Sequence, residues 1–201
     1  MLVAGIKSRP VYGGLNIEAH AKRHLFVLEG EGALALVDQV RARGPEFLKQ
    51  ADILYVATGS VAQEHDKALA KLGADSCWVA PTIPVLLNRL NVMLGQAHMG
   101  THIYLAGTEG FIGQAQQMAM NHGVDPASLH TEHRGSAARR VQCVHCKGIT
   151  DSVTTSPYTC THCGLSLLVR DHYSRRIGAF QGVCIDAEEP GTAPQPEELF
   201  P

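Results

Sequence analysis

Short apolar runs alternate with helical patterns over about the first 135 residues of the chain. The runs are rich in residues that favour β-structure, and each is followed by a turn or a helical stretch. They predict strands at 25–28, 53–57, 76–79, 102–106 and 129–131, with helices at 33–41, 61–72, 84–96 and 111–122. Continuous apolar strands indicate a sheet covered on both faces, and the crossovers between them are right-handed. The pattern therefore predicts an open, mainly parallel, Rossmann-like α/β sheet.

The amino-acid composition changes twice after this region. Four cysteines crowd the segment that follows the sheet, and the end of the chain is rich in Pro and Glu. So few apolar groups in the last stretch offer little to offset the entropy of ordering it. We expect an N-terminal extension at 1–23, an α/β domain at 24–137, a four-cysteine ribbon with a partner-docking segment at 138–188, and a flexible tail at 189–201.

Composition and charge narrow the classes of function. Hydrophobic residues make up 45% of the 201 residues, which suits a globular core. A formal net charge of −2 and a pI near 6.6 give no overall attraction to nucleic acid or to an anionic membrane, so we expect neither as a partner. No apolar stretch reaches the roughly 18 residues that span a bilayer. Reduced thiols without an export signal predict a cytoplasmic protein.

The four cysteines form two Cys-x-x-Cys knuckles, 143–146 and 160–163, separated by thirteen residues. One tight turn can supply two thiolates to one edge of a tetrahedron, and the second turn supplies the opposite edge. We therefore predict a metal site formed by Cys143, Cys146, Cys160 and Cys163, in a zinc-ribbon or rubredoxin-like module. Zinc is the favoured ion because structural four-cysteine sites usually hold it, and mononuclear iron, which would carry electrons, stays the alternative.

Three turns at the carboxyl ends of predicted strands are candidates for binding a nucleotide. They contribute Gly30 and Gly32, Thr58 and Gly59, and Gly107. Glycines let a backbone approach a phosphate, and free amides at a helix start can bind it. Two observations oppose this interpretation: Glu29 and Glu31 would repel an anion, and a helix cap explains the hydroxyl-bearing turn equally well.

The sequence around Gly107 resembles the end of the nicotinamide-nucleotide domain of the ferredoxin reductase family. The similarity spans about residues 24–134 and includes the turn 106–111, Gly-Val-Asp-Pro at 123–126 and the strand that ends in Glu132. It implies an NADPH site in which Gly30 and Gly32 occupy the phosphate turn. Ala106 and Thr108 replace the Cys and Pro of that family's motif, and its flavin-binding barrel is missing. The resemblance is therefore equally consistent with a nucleotide domain retained as a docking scaffold.

A charged and aromatic segment at 170–180 follows the second knuckle. Arg and aromatic residues are favoured anchors of protein interfaces, although an ordinary solvated loop is the alternative. We predict that it binds a partner. The candidate contact residues are Arg170, Tyr173, Arg175, Arg176 and Phe180.

The sequence from the second knuckle onwards resembles the small subunits of bacterial dimethylamine monooxygenase. The similar residues are 160–165, 169–183, 186–188 and 190–191. The resemblance implies a subunit of a haem-dependent oxidative N-demethylase driven by NADPH. It also implies three partners: a haem-binding subunit of PAS-like fold, a flavin and iron–sulfur reductase, and a folate-dependent subunit resembling an aminomethyltransferase. Haem, FMN, the 2Fe–2S cluster and folate would then be held by those partners.

Two classes of function follow. In the first, the chain is a subunit of an oxidoreductase complex without an active site of its own, and its metal ribbon and Arg-rich segment serve assembly. In the second, it relays electrons through iron or through bound NADPH. A free-standing zinc-ribbon adaptor is a further alternative. We predict no catalytic residue from the sequence.

Overall fold

A computed structural model describes residues 8–58 and 62–201, without the side chains of 62 and 63. The chain divides into two compact units. The α/β unit is Tyr12–Gly135, and the cysteine unit is Ser136–Pro201 together with residues 8–11. This division splits the predicted 1–23 extension. Ser8 bridges to His172 in the cysteine unit, whereas Leu15 lies buried in the core of the α/β unit.

The α/β unit contains one five-stranded, fully parallel sheet in the order β3-β2-β1-β4-β5. Its strands are β1 (Arg23–Glu29), β2 (Ala51–Val56), β3 (Ser76–Ala80), β4 (Thr101–Gly107) and β5 (Leu129–His133). The central strands β1 and β2 are buried over almost their whole length, as continuous apolar runs predict. The predicted parallel α/β sheet is confirmed.

Four helices connect these strands: α1 (Gly32–Arg43), α2 (Ala62–Ala70), α3 (Ile83–Gly95) and α4 (Glu109–Asn121). Two short 3-10 turns, Glu46–Gln50 and Pro126–Ser128, precede β2 and β5. Thr82 caps α3 through its hydroxyl. Gly123, two residues after the end of α4, adopts a left-handed conformation of the kind that terminates helices.

The sheet separates two apolar cores. One packs Leu86, Leu90 and Phe111 from α3 and α4 against one face, and the other packs Leu36 of α1 and Leu48 against Phe26 and its neighbours. Helices on both faces of a parallel sheet leave its strand ends as the accessible edge for a ligand. A ligand of this sheet would therefore bind at the turns after β1, β2 and β4.

The cysteine unit is built on a second five-stranded sheet, in the order β7-β6-β11-β10-β9. Its strands are β6 (Arg139–Cys143), β7 (Ile149–Val153), β9 (Tyr158–Thr159), β10 (Ser166–Ser174) and β11 (Ala179–Cys184), and a separate two-stranded sheet is formed by β8 (Thr155–Ser156) and β12 (Glu197–Glu198). Only β6 and β11 pair in parallel; the other pairs in this sheet are antiparallel. The small core of this unit includes Cys143 and Cys160 themselves.

The tail expected to be flexible differs from that expectation at its end. Strand β12 pairs with β8, and the amides of Leu199 and Phe200 donate to the carbonyl of Thr154. The guanidinium of Arg139 lies 4.0 Å from the ring centroids of both Phe180 and Phe200. Strand pairing and this cation–π sandwich hold residues 197–201 against the cysteine unit. Composition alone does not reveal either contact.

Among residues 8–58 and 62–201, no helix is both long enough and apolar enough to span a bilayer.

Candidate metal centre

The four predicted cysteine ligands converge. The sulfur atoms of Cys143 and Cys163 are 3.8 Å apart, as are those of Cys146 and Cys160, and all four lie within 4.8 Å of one another. A tetrahedral ion with metal–sulfur distances of about 2.3 Å requires sulfur separations of about 3.8 Å. All six cysteines are free thiols, so no disulfide competes for these sulfurs. The residues present fit a tetrathiolate metal site.

The two knuckles share one backbone design. In the first knuckle, the amide of Lys147 donates to the carbonyl of Cys143, and in the second the amide of Gly164 donates to the carbonyl of Cys160. Lys147 and Gly164 both have positive φ, 63° and 76°. The turn after each cysteine pair therefore needs a left-handed residue, and the first knuckle places a lysine there.

Backbone amides also point at the sulfur atoms. The amide of Gly148 donates to the sulfur of Cys146. Burial opposes ionisation of Cys160, but the amides of His162 and Cys163 and the adjacent thiols lower its pKa to about 7. The Leu165 amide favours the Cys163 thiolate, yet burial and the three other thiols raise the pKa of Cys163 to about 12. Four thiolates in one cluster need a cation to balance their charge.

The two histidines inside the knuckles, His145 and His162, are exposed. The ring of His162 lies against Gly148, where any Cβ would overlap it, and its Nε2 is 2.9 Å from the carbonyl oxygen of Ile149. This contact ties the second knuckle to the strand that follows the first. His162 thus supports the ligand turns.

The predicted partner-binding residues do not all reach the surface. Arg170, Arg175 and Arg176 are exposed, and the last two occupy the turn between β10 and β11. Tyr173 is half-buried against Phe180, which is 1% exposed. Phe180 is therefore a core residue and differs from the expectation of an interface anchor. The sequence did not reveal that Arg139, itself 7% exposed, would cover the Phe180 ring.

The candidate nucleotide residues come together at one edge of the α/β sheet. Gly30 follows β1, Thr58 follows β2 and Gly107 ends β4. Gly59 lies outside the described residues. A Cβ on Gly30 would lie 2.6 Å from the Thr58 hydroxyl, and one on Gly32 would overlap the carbonyl oxygen of Ala106.

Glu29, which the sequence predicts only to repel an anion, occupies the centre of this edge. The carboxylate of Glu29 accepts hydrogen bonds from the amide and the hydroxyl of Thr108, at 2.9 and 2.7 Å, and from the Thr58 hydroxyl at 3.2 Å. The Thr108 donors lie at the start of α4, where a ligand phosphate would bind, and the Thr58 hydroxyl follows β2. The residues at this edge do not fit a dinucleotide, because an internal anion already takes the donors of Thr108 and Thr58.

Comparison with known proteins places the chain in a family. The N-terminal domain described as "Dimethylamine monooxygenase subunit DmmA-like" matches residues 4–129, and the C-terminal domain of the same description matches residues 140–183. The chain belongs to this DmmA-like family. The resemblance seen in the sequence from the second knuckle onwards is thereby confirmed.

One curated relative of the chain is the haem-dependent oxidative N-demethylase delta subunit of Ectopseudomonas mendocina (strain ymp). It is 32% identical over 148 residues, which cover 71% of this chain and 85% of the relative.

Two solved structures show partial similarity to the chain. An intact type IV self-sufficient cytochrome P450 monooxygenase has a TM-score of 0.45 and 23% identity, covering 67% of this chain and 19% of that one. The flavohem-like FAD/NAD-binding domain of nitric oxide dioxygenase from Vibrio cholerae O1 biovar El Tor has a TM-score of 0.40 and 20% identity, covering 59% and 53%. The chain thus spans about a fifth and about half of these two proteins, and neither likeness carries a conclusion about function.

Proposed function

We propose that this chain is a non-catalytic subunit of a haem-dependent oxidative N-demethylase that acts on dimethylamine. The relationship to the delta subunit from Ectopseudomonas mendocina supports the complex, and the convergence of four thiols carries the role within it. In this proposal a zinc ion fixes the knuckles, and the fixed knuckles present a surface to sister subunits. No residue of the chain is assigned a catalytic step.

The contacts of the cysteine unit connect the metal site to the Arg-rich turn. Cys143 ends β6 and pairs in register with Gly182 of β11, the strand that leaves the turn. On the same sheet, Asp171 of β10 is paired with Arg139, which is stacked on Phe180. Arg175 and Arg176 therefore project from a hairpin whose base is attached to a ligand-bearing strand. Loss of the metal would loosen that base.

The partners in this proposal are the three predicted from the family resemblance: the PAS-like haem subunit, the flavin and iron–sulfur reductase fed by NADPH, and the folate-dependent subunit. Haem, FMN, the 2Fe–2S cluster and folate belong to them. We place the assembly in the cytoplasm because a tetrathiolate site requires reduced cysteines. Two adjacent exposed arginines suit an acidic surface on one of these partners.

Charge reversal at the turn tests the assembly role. The double substitution Arg175→Glu and Arg176→Glu should leave the isolated chain folded with its metal bound, and should weaken co-purification with the sister subunits at least about tenfold. The matched control is Arg41→Glu with Arg43→Glu on α1 of the other unit, where the charge change is equal. Retention of the complex by the first variant would remove the turn from the interface.

A second candidate function is electron relay through iron in the same four-thiolate site. The amide hydrogen bonds to Cys146, Cys160 and Cys163 favour it, because such bonds tune the potential of thiolate-bound iron. Iron bound in this way would supply one-electron chemistry, and the chain's own contribution would be the donors and the burial around the sulfurs. Elemental analysis of the purified chain separates the two functions. We expect one zinc and no visible thiolate-to-iron absorption; a coloured protein that is reversibly bleached by a reductant would support the relay.

A further inference from the structure

The carboxyl ends of β1 and β4 flank the point where the order of the α/β sheet reverses. The chain proceeds outward from β1 through β2 to β3, and then returns to the other side of β1 with β4. In open α/β sheets, ligands bind outside the strand ends at such a reversal. Helix α4 begins there, and the positive end of its dipole together with its free amides favours an anion.

The anion at this position is part of the chain. Glu29, the last residue of β1, is only 6% exposed, and its carboxylate accepts three hydrogen bonds, two from Thr108 and one from Thr58. Thr108 immediately precedes α4, and Thr58 follows β2. The carboxylate therefore links the ends of three strands through donors of the kind that a phosphate uses.

The glycines that suggested a ligand cradle accommodate the chain itself. A Cβ on Gly107 would lie 2.8 Å from the Cβ of Glu29 and 2.9 Å from its Oε2, so Gly107 leaves room for the glutamate side chain. Gly30 leaves room for the Thr58 hydroxyl, and Gly32 lets α1 approach the backbone of β4 at Ala106. Each of these glycines thus has an intramolecular reason for its small size.

We infer that Glu29 is a built-in replacement for a ligand phosphate, and that this edge of the sheet binds no pyridine dinucleotide in the native chain. A diphosphate placed here would have to compete for the Thr108 and Thr58 donors and would face a buried negative charge at close range. The inference does not depend on which metal the cysteines hold or on which subunits the chain meets.

Removing the carboxylate should convert the edge into an anion site. In the full chain, Glu29→Ala vacates the donors of Thr108, and inorganic phosphate should then raise the melting temperature by about 3 °C or more over sodium chloride of equal ionic strength. The wild-type chain should show no such phosphate-specific rise. By calorimetric titration, the wild-type chain should also give no saturable binding of NADPH up to about 1 mM.

Glu31→Ala is the matched control. It removes the same charge from the same turn, but Glu31 is exposed and makes none of the three hydrogen bonds. Glu29→Gly provides a second open variant if Glu29→Ala does not fold, and the wild-type titration decides the question even if both fail. Saturable NADPH binding to the wild type, an equal phosphate response in Glu31→Ala, or no response in a folded Glu29 variant would overturn the inference.

Discussion

The two units of this chain solve the problem of buried charge in opposite ways. The α/β unit places one carboxylate, that of Glu29, among neutral donors supplied by its own backbone and hydroxyls. The cysteine unit gathers four thiols within 4.8 Å of one another, and we expect a metal cation to balance their charge when they ionise together. We therefore expect the first unit to fold as a polypeptide alone and the second to need a bound metal. We expect perturbations to separate the two.

The substitution Cys146→Ser should produce the largest difference in stability between the two units. Loss of one thiolate releases the metal, and the binding energy of a structural zinc, about 10–16 kcal/mol in zinc-finger peptides, far exceeds what the small core of this unit supplies. Amide hydrogen exchange should accelerate throughout residues 136–201 while residues 12–135 keep their protection. Metal content should fall from one ion per chain to near zero.

Cys184→Ser is the control for that experiment. Cys184 is a half-buried thiol of the same unit, 3.3 Å from a carboxylate oxygen of Asp186, and lies outside the ligand group. The Cys184→Ser variant should keep its metal and the protection of its amides from hydrogen exchange. Equal loss of protection in both units of the Cys146→Ser chain would contradict the division proposed for the molecule.

An intermediate effect, this time confined to the α/β unit, should follow acidification. Burial lowers the pKa of His24 and of His130, and nearby histidines, His102 above all, lower both further. Below the ordinary histidine pKa of 6.5, the unfolded chain binds protons that the folded unit does not. The free energy of unfolding of this unit should therefore be constant above about pH 7 and should fall as the pH drops below 6.5.

Other titratable groups near these rings include His20 and Glu18, and the Glu18 carboxylate interacts with His102 and His130. His130→Gln should flatten the pH dependence measured by chemical denaturation, whereas His98→Gln, at an exposed position, should leave it unchanged. If the free energy of unfolding depends equally on pH in the wild type and in His130→Gln, then His130 is not the source of the acid sensitivity.

The smallest effects should distinguish the two knuckles from each other. Gly164→Ala places a Cβ at φ 76° and should destabilise the cysteine unit by about 1 kcal/mol, although nothing crowds that position. Lys147→Gly relieves the same conformation in the first knuckle and should stabilise it by up to about 1 kcal/mol. Thermal unfolding of the metal-bound chain measures both. Changes of the same sign would show that the two turns are not equivalent.

The cysteine ligands were predictable because each knuckle is a local motif, in which spacing along the chain fixes spacing in space. The parallel sheet was predictable for a similar reason, since each apolar run marks a buried strand. The occupant of the sheet edge was not, because Glu29 and Thr108 are 79 positions apart and nothing local shows where a carboxylate points. The position of Phe200 on Arg139 depends likewise on a pairing between distant segments.

A carboxylate that belongs to the same chain as its hydrogen-bond donors cannot be removed by dilution or dialysis. Because the Glu29 carboxylate has a fixed effective concentration beside Thr108 and Thr58, we expect the carboxyl edge of the sheet to keep one conformation whatever solutes surround it. Such a domain would offer its neighbours a shape that does not depend on the concentration of nucleotides in the cell.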